Sequence, residues 1–589
     1  MKVKTKLIAS IMSICLVCAV FAIGVFALKT ANLKIGGDVS FSATGVEVSI
    51  KNGNIIGADV SANNTAFVMA PETDELKITT SMTQTDIDNT FSKWRNLDLK
   101  FKDSAEDIII SFDIRNENTD ANNYIEIDYD YTFNKQNPNV VVLSGKDESG
   151  NWVANNLILA PKGVEPSSVS YQTFYLVVRV VDKELDVPSD LQLSLDFKLK
   201  HFNPSVGDLN EDQTKLTTED GIIYTLNKTY KTASLGYSDG GGMAPPTGDN
   251  YSYAQKDFNI APVVADNAGN KYVVTEIGQY AFTSMVGGGN ATIENIVIPN
   301  SVTTIGSSAI NACPNITALT IPISVTTIGQ NGIFCCVNMG TIVVKGGNGV
   351  YDSRNNCNAI IETKTNKLIK GCYNTIIPYG IVAIGDSAFA TTYVQADNSK
   401  LTSIVIPDSV TTIGNSAFSL CAKLATVTMP KQLTTLGNNA FENCRELETI
   451  VIPNGVTEIR SEAFTGCSKL KSVELPDGLI ELSRAAFMNS GLLSITIPKS
   501  ITTIAADAFN NCNDLDIIKI DSQTIVAGLT GPSYLGSATS YATSIYIKSD
   551  LDVTGATYLA NTANYTPEKI GNTVADADGD GYILYTKVV

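Results

Sequence analysis

Histidine is almost absent from this chain, which has a single one, His201, in 589 residues. A zinc site of the H-E-x-x-H type, or any metal site with two histidine ligands, is therefore excluded. A Ser-His-Asp triad would have to use His201. This residue lies near the end of an alternating apolar segment, where a hydrogen-bonded structural histidine is the simpler interpretation. We find no Walker loop for phosphate either, so the sequence predicts no catalytic residue and no cofactor.

Charged residues are also scarce, at 17% of the chain, and acidic ones outnumber basic ones by 60 to 42. The formal net charge is -18, and no run of lysine or arginine follows residue 6. Nucleic acid is excluded as a partner, because phosphate binding needs concentrated basic side chains. Apolar residues make up 44%, enough to bury a core and offset chain entropy. We therefore predict a folded chain with an acidic surface.

One long hydrophobic run lies at the N-terminus. Lys2, Lys4 and Lys6 precede an almost unbroken apolar segment at residues 7–28, which is typical of an export signal. The run is also long enough to span a bilayer. Cleavage after Ala27 and retention of residues 7–28 as a membrane anchor therefore stay open. In both cases residues 1–28 predict an extracellular or cell-surface protein, in contact with the membrane only through this segment if it is uncleaved.

Residues 31–202 show short strands separated by polar turns. Every second residue is apolar in residues 125–133 and 191–199, a period that favours strands with one buried side. We predict an antiparallel β-sandwich with both tryptophans, Trp94 and Trp152, in its core. The opposite side of the earlier strand carries three carboxylates that we expect to face solvent: Glu126, Asp128 and Asp130.

A 23-residue repeat dominates the rest of the chain. The string LTSIVIPDSVTTIGNSAFSLCAK begins at Leu401 and returns, with changes, at Leu424 and Leu447, each 23 residues after the last. Such a repeat predicts a solenoid, because one coil cannot bury its own apolar edge and must stack on the next. Two series of residues keep the same spacing: Pro407, Pro430, Pro453 and Pro476, and Phe418, Phe441, Phe464 and Phe487.

Each repeat divides into two segments. The pattern L-x-x-I-x-I-P predicts a short strand that the proline ends, because proline cannot donate to a strand ladder. The pattern V-x-x-I-G-x-x-A-F predicts a tight return segment, in which glycine eases the bend and phenylalanine fills the space between coils. We assign the repeats to residues 275–525, with a variant coil at 339–376. The flanking assignments are a linker at 203–220, an N-terminal cap at 221–274 and a C-terminal β cap at 526–589.

These motifs resemble the BspA-like leucine-rich-repeat proteins of bacterial cell surfaces. The resemblance covers residues 221–589 and rests on the I-P-x-x-V-T-x-I-G-x-x-A-F-x-x-C string and on the insert YDSRNNCNAIIET from Tyr351. The expected fold is mainly β, a sandwich followed by a leucine-rich-repeat solenoid with β caps. The resemblance implies adhesion, with a host or neighbouring-cell surface protein, a matrix protein or a glycan as partner. By its position behind the leader, the sandwich is similar to that of TasA-like biofilm proteins.

Six cysteines share one position of the repeat. An exported chain commonly joins its cysteines in disulfides, but equivalent side chains of stacked coils point the same way and form a column of small buried groups. We therefore predict free structural thiols. If any bridge forms, the better candidates are the adjacent Cys335 and Cys336, and Cys357 with Cys372. The six are Cys313, Cys336, Cys421, Cys444, Cys467 and Cys512, and Ser490 holds the position in the remaining coil.

Asp576, Asp578 and Asp580 begin a D-x-D-x-D-G string that matches the first half of a calcium loop. Carboxylate oxygens suit calcium, but the twelfth position, which supplies the closing acid of such a loop, is Lys587. We favour a glycine-rich hairpin turn before residues 582–585. The three aspartates are the one candidate metal site that the sequence offers.

The outward side of the repeat strands is the predicted binding face. Its positions alternate with the buried ones and carry mostly hydroxyl and small apolar side chains. Such groups suit a protein strand or a glycan, and stacking fixes their geometry in advance. The same residue types are common on any exposed strand, so that alternative stays open. The candidate residues are Ser403, Val405, Thr426, Thr428, Thr449, Val451, Ser472, Glu474, Ser494 and Thr496.

The leading hypothesis is a non-catalytic surface protein that binds its ligand through this face. The alternative is a structural matrix or biofilm protein that assembles through its sandwich. A carboxylate-only enzyme, such as a glycosidase, fits less well. Paired catalytic carboxylates need a cleft, and stacked coils offer a shallow face.

Overall fold

A computed structural model of the chain describes residues 107–135, 140–144, 157–162, 171–180, 190–236, 255–282, 292–392, 396–528 and 544–548, with short segments between 34 and 101 and between 551 and 587. This described part is mainly β, as the sequence predicts. No helix within it is both long and apolar enough to cross a membrane. The leader at residues 1–28, both tryptophans and the three aspartates of the candidate calcium loop lie outside the described residues.

The strands before residue 203 form two large sheets, and we call residues 39–202 the two-sheet region. One sheet has the order β10-β8-β12-β2 and the other β5-β3-β7-β11-β9, while β1, β6 and β4 form a small third sheet. In chain order the strands are β1 (Lys34–Gly37), β2 (Val39–Thr44), β3 (Val48–Ile56), β4 (Ala58–Val60), β5 (Leu76–Ile78), β6 (Leu97–Phe101), β7 (Asp107–Asn116), β8 (Tyr124–Phe133), β9 (Val140–Ser144), β10 (Ile158–Leu159), β11 (Tyr171–Val180) and β12 (Leu193–Phe202).

Alternate residues of the two large sheets share one buried core. On β12, Leu195, Phe197 and Leu199 are buried, while the residues between them carry charge. The ring of Phe197 lies 5.1 Å from that of Phe112 on the other sheet, measured between ring centres. Because β12 and β8 pair in antiparallel register, a period of two puts the apolar residues of both strands on the same side.

A small closed sheet precedes the repeats. The order β16-β15-β14-β13-β18-β19, with β16 also bonded to β19, closes this sheet on itself. β17 lies apart and pairs in parallel with the first repeat strand, β20 (Asn295–Val297). The strands are β13 (Ser205–Leu209), β14 (Lys215–Thr218), β15 (Ile223–Asn227), β16 (Thr232–Leu235), β17 (Asp257–Asn259), β18 (Val263–Asp266) and β19 (Lys271–Ile277).

The linker predicted at residues 203–220 is instead part of this closed sheet. β13 pairs in parallel with β18 and antiparallel with β14. The polar residues between them form a hairpin turn, in which the backbone N–H of Lys215 donates to Asn210 Oδ1 and that of Thr214 to Asp212 Oδ1. Asn and Asp side chains that bond the backbone ahead of them make turns, so a polar composition does not separate a turn from a linker. The sheet begins at Ser205, before the cap boundary predicted at Gly221.

The repeats form coils that stack in parallel, and most coils have a face strand of three or four residues and a two-residue return strand. The face strands are β20, β23 (Ala318–Ile321), β26 (Thr341–Val344), β31 (Ser403–Val405), β33 (Thr426–Thr428), β35 (Thr449–Val451), β37 (Ser472–Glu474), β39 (Ser494–Ile497) and β41 (Ile517–Ile520). The return strands are β21 (Thr304–Ile305), β24 (Thr327–Ile328), β30 (Ala383–Ile384), β32 (Thr412–Ile413), β34 (Thr435–Leu436), β36 (Glu458–Ile459), β38 (Glu481–Leu482) and β40 (Thr503–Ile504). Two of the coils also pair through β22 (Ile310–Asn311) and β25 (Ile333–Phe334).

Phenylalanines fill one internal column of the stack. Their rings are nearly parallel, with centres 4.9 to 5.7 Å apart. The repeat glycine serves this stacking, because a Cβ on Gly437 would lie 2.5 Å from the backbone of Gly414 in the preceding coil. Glycine therefore allows close approach of coils, a different role from the bend that the sequence predicted. The column comprises Phe389, Phe418, Phe441, Phe464, Phe487 and Phe509.

A hairpin interrupts the stack within the variant coil. β27 (Tyr351–Asp352), β28 (Ala359–Glu362) and β29 (Lys367–Gly371) are antiparallel, and a 3-10 turn at Arg354–Asn356 precedes β28. β29 then pairs in parallel with β30, which restores the stacking. A second 3-10 turn lies at Ala396–Asn398.

Further strands cover the end of the last coil. β42 pairs in parallel with β41 and antiparallel with β46, so the open edge of the final face strand is bonded. A short helix, α1 (Gln523–Gly528), comes between β41 and β42. The strands are β42 (Ser544–Lys548), β43 (Tyr565–Pro567), β44 (Lys569–Ile570), β45 (Thr573–Val574) and β46 (Tyr582–Lys587).

The two-sheet region packs against the first coils, at residues that follow their face strands. Asn300 Nδ2 donates to the carbonyl oxygen of Ile127 at 2.9 Å. Ile323 is 2% exposed and belongs to the core of the two-sheet region. Further along, the backbone N–H of Gly347 donates to the carbonyl oxygen of Val142 on β9. Polar and apolar contacts therefore join the two parts.

The carboxylates predicted to face solvent lie in this junction. The backbone N–H of Asn300 donates to Glu126 Oε1 at 2.9 Å, and burial raises the pKa of Glu126. Lys345 Nζ lies 3.0 Å from Asp128 Oδ2 and 3.2 Å from Asp130 Oδ1. The expectation of a solvated side was wrong, because alternation tells which side of a strand is polar and not what covers that side.

Candidate ligand-binding face

The outward residues of the face strands form one exposed row. Nine of the ten candidate residues are exposed, and Ser494 is half-buried. Val405 is 66% and Val451 55% exposed, whereas their inward neighbours Ile404 and Ile450 are buried. The period of two and the inward apolar positions therefore turn the hydroxyl and valine side chains toward solvent.

Register places these side chains in two vertical columns. Ser403 lies opposite Thr426, and Val405 opposite Thr428. The same pairing recurs two coils later, where Thr449 lies opposite Ser472. Paired strands lie about 4.8 Å apart, so a side chain recurs at that interval. The first column is hydroxyl throughout: Ser403, Thr426, Thr449, Ser472 and Ser494. The second column mixes apolar and polar side chains: Val405, Thr428, Val451, Glu474 and Thr496.

The side chains of the row are mostly uncharged and carry hydroxyl or small apolar groups. Each serine or threonine hydroxyl both donates and accepts, and the valines add small apolar contacts. Glu474 is the single charged member of the ten. Because the strands are already held in register, little entropy is lost when a ligand orders these side chains.

A cluster of two tyrosine rings and one lysine, not predicted from the sequence, lies at the end of the row. Lys519 Nζ lies 5.4 Å from the ring centre of Tyr546 and 4.9 Å from that of Tyr582. Tyr582 donates a hydrogen bond to Asp521. Lys519 and Tyr546 are register partners, but they are 27 residues apart and Tyr546 lies beyond the 23-residue repeats, so the repeat pattern does not predict the pairing. Tyr582 comes from β46, outside the 23-residue period, so no local signal brings it here.

The shared cysteine position lies inside the stack, beside the phenylalanines. The nine cysteines that the structure describes are buried and free. Cys421 Sγ donates to the carbonyl oxygen of Phe389 at 3.3 Å, and Cys467 Sγ to that of Phe441 at 3.1 Å. Burial raises the pKa of both thiols to about 12. They therefore stay protonated near neutral pH, which agrees with the predicted structural role.

Of the residues considered for a catalytic triad or a metal site, His201 lies in the described part of the chain, whereas Asp576, Asp578 and Asp580 lie outside it. His201 lies on β12 and shares a 2.8 Å hydrogen bond with Asn123. No group of three His, Cys, Asp or Glu side chains among the described residues is placed to hold a metal ion. The chain also contains the string G-Y-S-D-G at residues 236–240, which has the G-x-S-x-G pattern of a nucleophile elbow. It follows β16 of an all-β sheet, whereas the elbow is a strand-to-helix turn, and Ser238 lies outside the described residues.

The repeats match a known family. Residues 270–392 and 384–516 match the BspA type leucine rich repeat region, in six copies. These residues of the chain are therefore BspA-type leucine-rich repeats, as the motifs predicted. A comparison with curated proteins found no match.

Solved structures of repeat proteins are also similar to part of this chain. A leucine-rich repeat protein from Bacteroides ovatus is 25% identical with a TM-score of 0.33, over 57% of this chain and 68% of that one. A leucine rich cell surface protein from Faecalibacterium prausnitzii is 20% identical with a TM-score of 0.28, over 52% and 95%. The pneumococcal vaccine antigen PcpA is 18% identical with a TM-score of 0.33, over 53% and 94%. The similarity to TasA-like proteins stays an expectation from domain position.

Proposed function

We propose that this chain is an exported, non-catalytic protein of the bacterial cell surface that binds a protein or glycan through the outward face of its leucine-rich-repeat solenoid. The family of the repeats and the apolar segment behind a basic N-terminus support this assignment. The partner would be a surface protein or glycan of a host or neighbouring cell, or a matrix protein.

The observation that carries the proposal is the repeated exposure of valine at one position of the coil. Val297, Val343, Val405 and Val451 hold this position in four coils, and each is at least 41% exposed. Apolar surface that is exposed in a regular arrangement suits contact with a ligand, and here the valines recur every second coil with threonines between them. The hydroxyl column beside them supplies hydrogen bonds along the same line, which suits an extended ligand.

Two further features support a binding role over a catalytic one. His201 is engaged by Asn123, and burial keeps thiols such as Cys421 protonated. The alternative of assembly through the two-sheet region has less support. The outer side of β8 that carries Glu126, Asp128 and Asp130 is covered by the coils, so less of that region is open to a second copy.

The test compares two double variants of the full chain, which place the same substitution on different sides of the same two coils. Thr428→Lys with Thr449→Lys adds bulk and charge to the face. Thr434→Lys with Thr457→Lys is the matched control, because these threonines are also exposed but lie beside the return strands. Binding of each protein is measured on a glycan array and on immobilised matrix proteins.

We expect the face variant to lose binding by at least about tenfold, or about 1.4 kcal/mol, and the control to bind like the unmodified chain. Equal binding by the two variants would show that the face is not the contact surface. Absence of saturable binding by the unmodified chain to every surface tested would contradict the binding role itself.

A further inference from the structure

A cavity of about 410 Å³ opens where the two-sheet region meets the variant coil. Its lining residues come from the end of β8, from β9, from β26 with the two glycines after it, and from the turn at residues 353–358. Sites for small ligands are concave and enclose roughly 300–1,000 Å³. The junction therefore supplies a concavity that the flat row of face-strand residues lacks.

Aromatic rings line one side of the cavity, and two glycines bring them close to the coil. The rings of Tyr131 and Phe133, both half-buried, lie 5.6 Å apart at a steep angle. A Cβ on Gly346 would lie 2.2 Å from the Tyr131 ring, and Gly347 has a φ of +92°. A larger residue at either position would disturb the junction. Val343, from the face strand β26, is 41% exposed and also lines the cavity.

Each charged side chain that lines the cavity already has an ion-pair partner. Lys345 is held between Asp128 and Asp130, and Lys135 is paired with Asp190. Arg354 Nε lies 2.7 Å from Asp352 Oδ1, and its Nη1 donates to Asn366. A charged ligand would have to displace one of these partners, so the cavity favours an uncharged one.

The opposite side of the cavity carries three asparagines whose backbone has positive φ angles, which residues other than glycine adopt less often. Asn355, Asn356 and Asn358 have φ values of +60°, +52° and +54°, in the left-handed region. Asn355 and Asn356 are exposed. Their amides offer two N–H donors and a carbonyl acceptor each. The adjacent Arg354–Asp352 pair holds this turn in place.

We infer that this cavity binds a short uncharged saccharide. The C–H groups of a sugar ring would pack against the half-buried ring of Phe133, whose π electrons attract them. The hydroxyls would exchange hydrogen bonds with Asn355 and Asn356. This site is distinct from the outward row at residues 403–496, because most of its walls come from the two-sheet region and the variant coil. Val343 of β26 is the residue that it shares with the exposed valine position of the face strands.

Saturation-transfer NMR on the purified full chain tests the inference. The probes are cellobiose, maltose, lactose and di-N-acetylchitobiose, with digalacturonic acid as the charged probe. We expect saturation of at least one neutral disaccharide and none of the charged one. Transfer to none of the neutral probes, or equal transfer to digalacturonic acid, would overturn the inference.

Variants of residues inside and outside the cavity test whether the disaccharide binds there. Val343→Trp fills the cavity, and Thr434→Trp places the same side chain beside a return strand, outside both the cavity and the strand face. Asn356→Gly keeps the left-handed backbone and removes the side chain with its amide. We expect Val343→Trp and Asn356→Gly to weaken binding by at least about tenfold and Thr434→Trp to leave it unchanged. The face variant with Thr428→Lys and Thr449→Lys should also bind normally, so the two sites fail separately. Full binding by Val343→Trp would refute the cavity as the site.

Discussion

The coils beneath the two-sheet region and the coils beyond it share one template but differ after the proline. The covered coils have Asn300 and Ile323 at this position, and both are buried. The later coils have Asp408, Lys431 and Asn454 there, and all three are exposed. Where the template position meets water, any polar residue serves. Where it meets another part of the chain, the residue packs against its neighbour. Ile323 departs from the polar residues of the template and marks the contact, whereas Asn300 makes its contact without departing from them.

The interior differs between the same two groups of coils. The covered coils have Ile310 and Ile333 where the later coils have phenylalanines. The isoleucines lie on short paired strands, whereas the phenylalanines stack ring on ring, for example with 5.1 Å between the centres of Phe418 and Phe441. One template therefore accommodates two kinds of internal column, one in which isoleucine follows isoleucine and one in which phenylalanine stacks on phenylalanine.

A charged side chain at Ile323, the covered position after the proline, should have the largest effect on the unfolding free energy. Ile323→Asp removes a buried side chain and introduces a carboxyl into the two-sheet core, so we expect a loss of about 5 kcal/mol or more in the unfolding free energy. Asn454→Asp, at the equivalent exposed position, should change it by less than about 0.5 kcal/mol. Urea unfolding measures both. Similar small effects at the two positions would remove the distinction between covered and uncovered coils.

Substitutions in the internal column of phenylalanines should have the second-largest effect on the unfolding free energy. Phe441→Ala leaves a cavity between two stacked rings and should cost about 4 kcal/mol. Phe441→Ile installs the residue of the covered coils and should cost about 1–3 kcal/mol, because most of the volume is kept. Unfolding midpoints in urea distinguish the two. If isoleucine is as costly as alanine, the two columns are not alternatives within one template.

The cysteines should make the later coils sensitive to alkaline pH. Burial raises the pKa of Cys421 and Cys467 to about 12, above the value of about 8.5 for an unfolded thiol. Between these values the unfolded thiol is ionised while the folded one keeps its proton. The unfolding free energy therefore falls as pH rises, by about 1.4 kcal/mol per pH unit for each thiol. Cys467→Ser should remove one such contribution. Urea unfolding from pH 8 to 10 with a reductant tests this, and an unchanged slope in the variant would contradict it.

The smallest effect on the unfolding free energy is expected at a left-handed residue that both groups of coils have. Ser308, in a covered coil, and Ser416, in a later one, have left-handed backbones with φ of +51° and +52°. Glycine takes this conformation without the steric cost of a Cβ. Ser416→Gly should therefore raise the unfolding free energy by about 1 kcal/mol, and the β-branched Ser416→Val should lower it. Thermal unfolding measures both, and a loss of stability in the glycine variant would count against a shared turn.

The sequence predicted the structural features that repeat every 23 residues. The proline and phenylalanine spacing predicted the stacking and the internal column, and alternation predicted the outward orientation of residues such as Val405. Features built by non-repeating segments were not predicted. Lys345 meets Asp128 across more than two hundred residues of chain, and Tyr582 reaches Lys519 from a late strand. No periodic signal links such residues, because their contacts depend on how separate sheets pack.

The register of neighbouring coils can be tested directly with cysteine pairs. Ser403 and Thr426 are register partners on strands about 4.8 Å apart, within the Cα distance that a disulfide spans. Ser403 and Thr449 lie two coils apart, at about twice that distance. The measurement is peptide mapping by mass spectrometry after mild oxidation of the two double variants. We predict a bridge between Ser403→Cys and Thr426→Cys and none between Ser403→Cys and Thr449→Cys; the opposite pattern, or no bridge in either variant, would contradict the stacked face on which the proposed function depends.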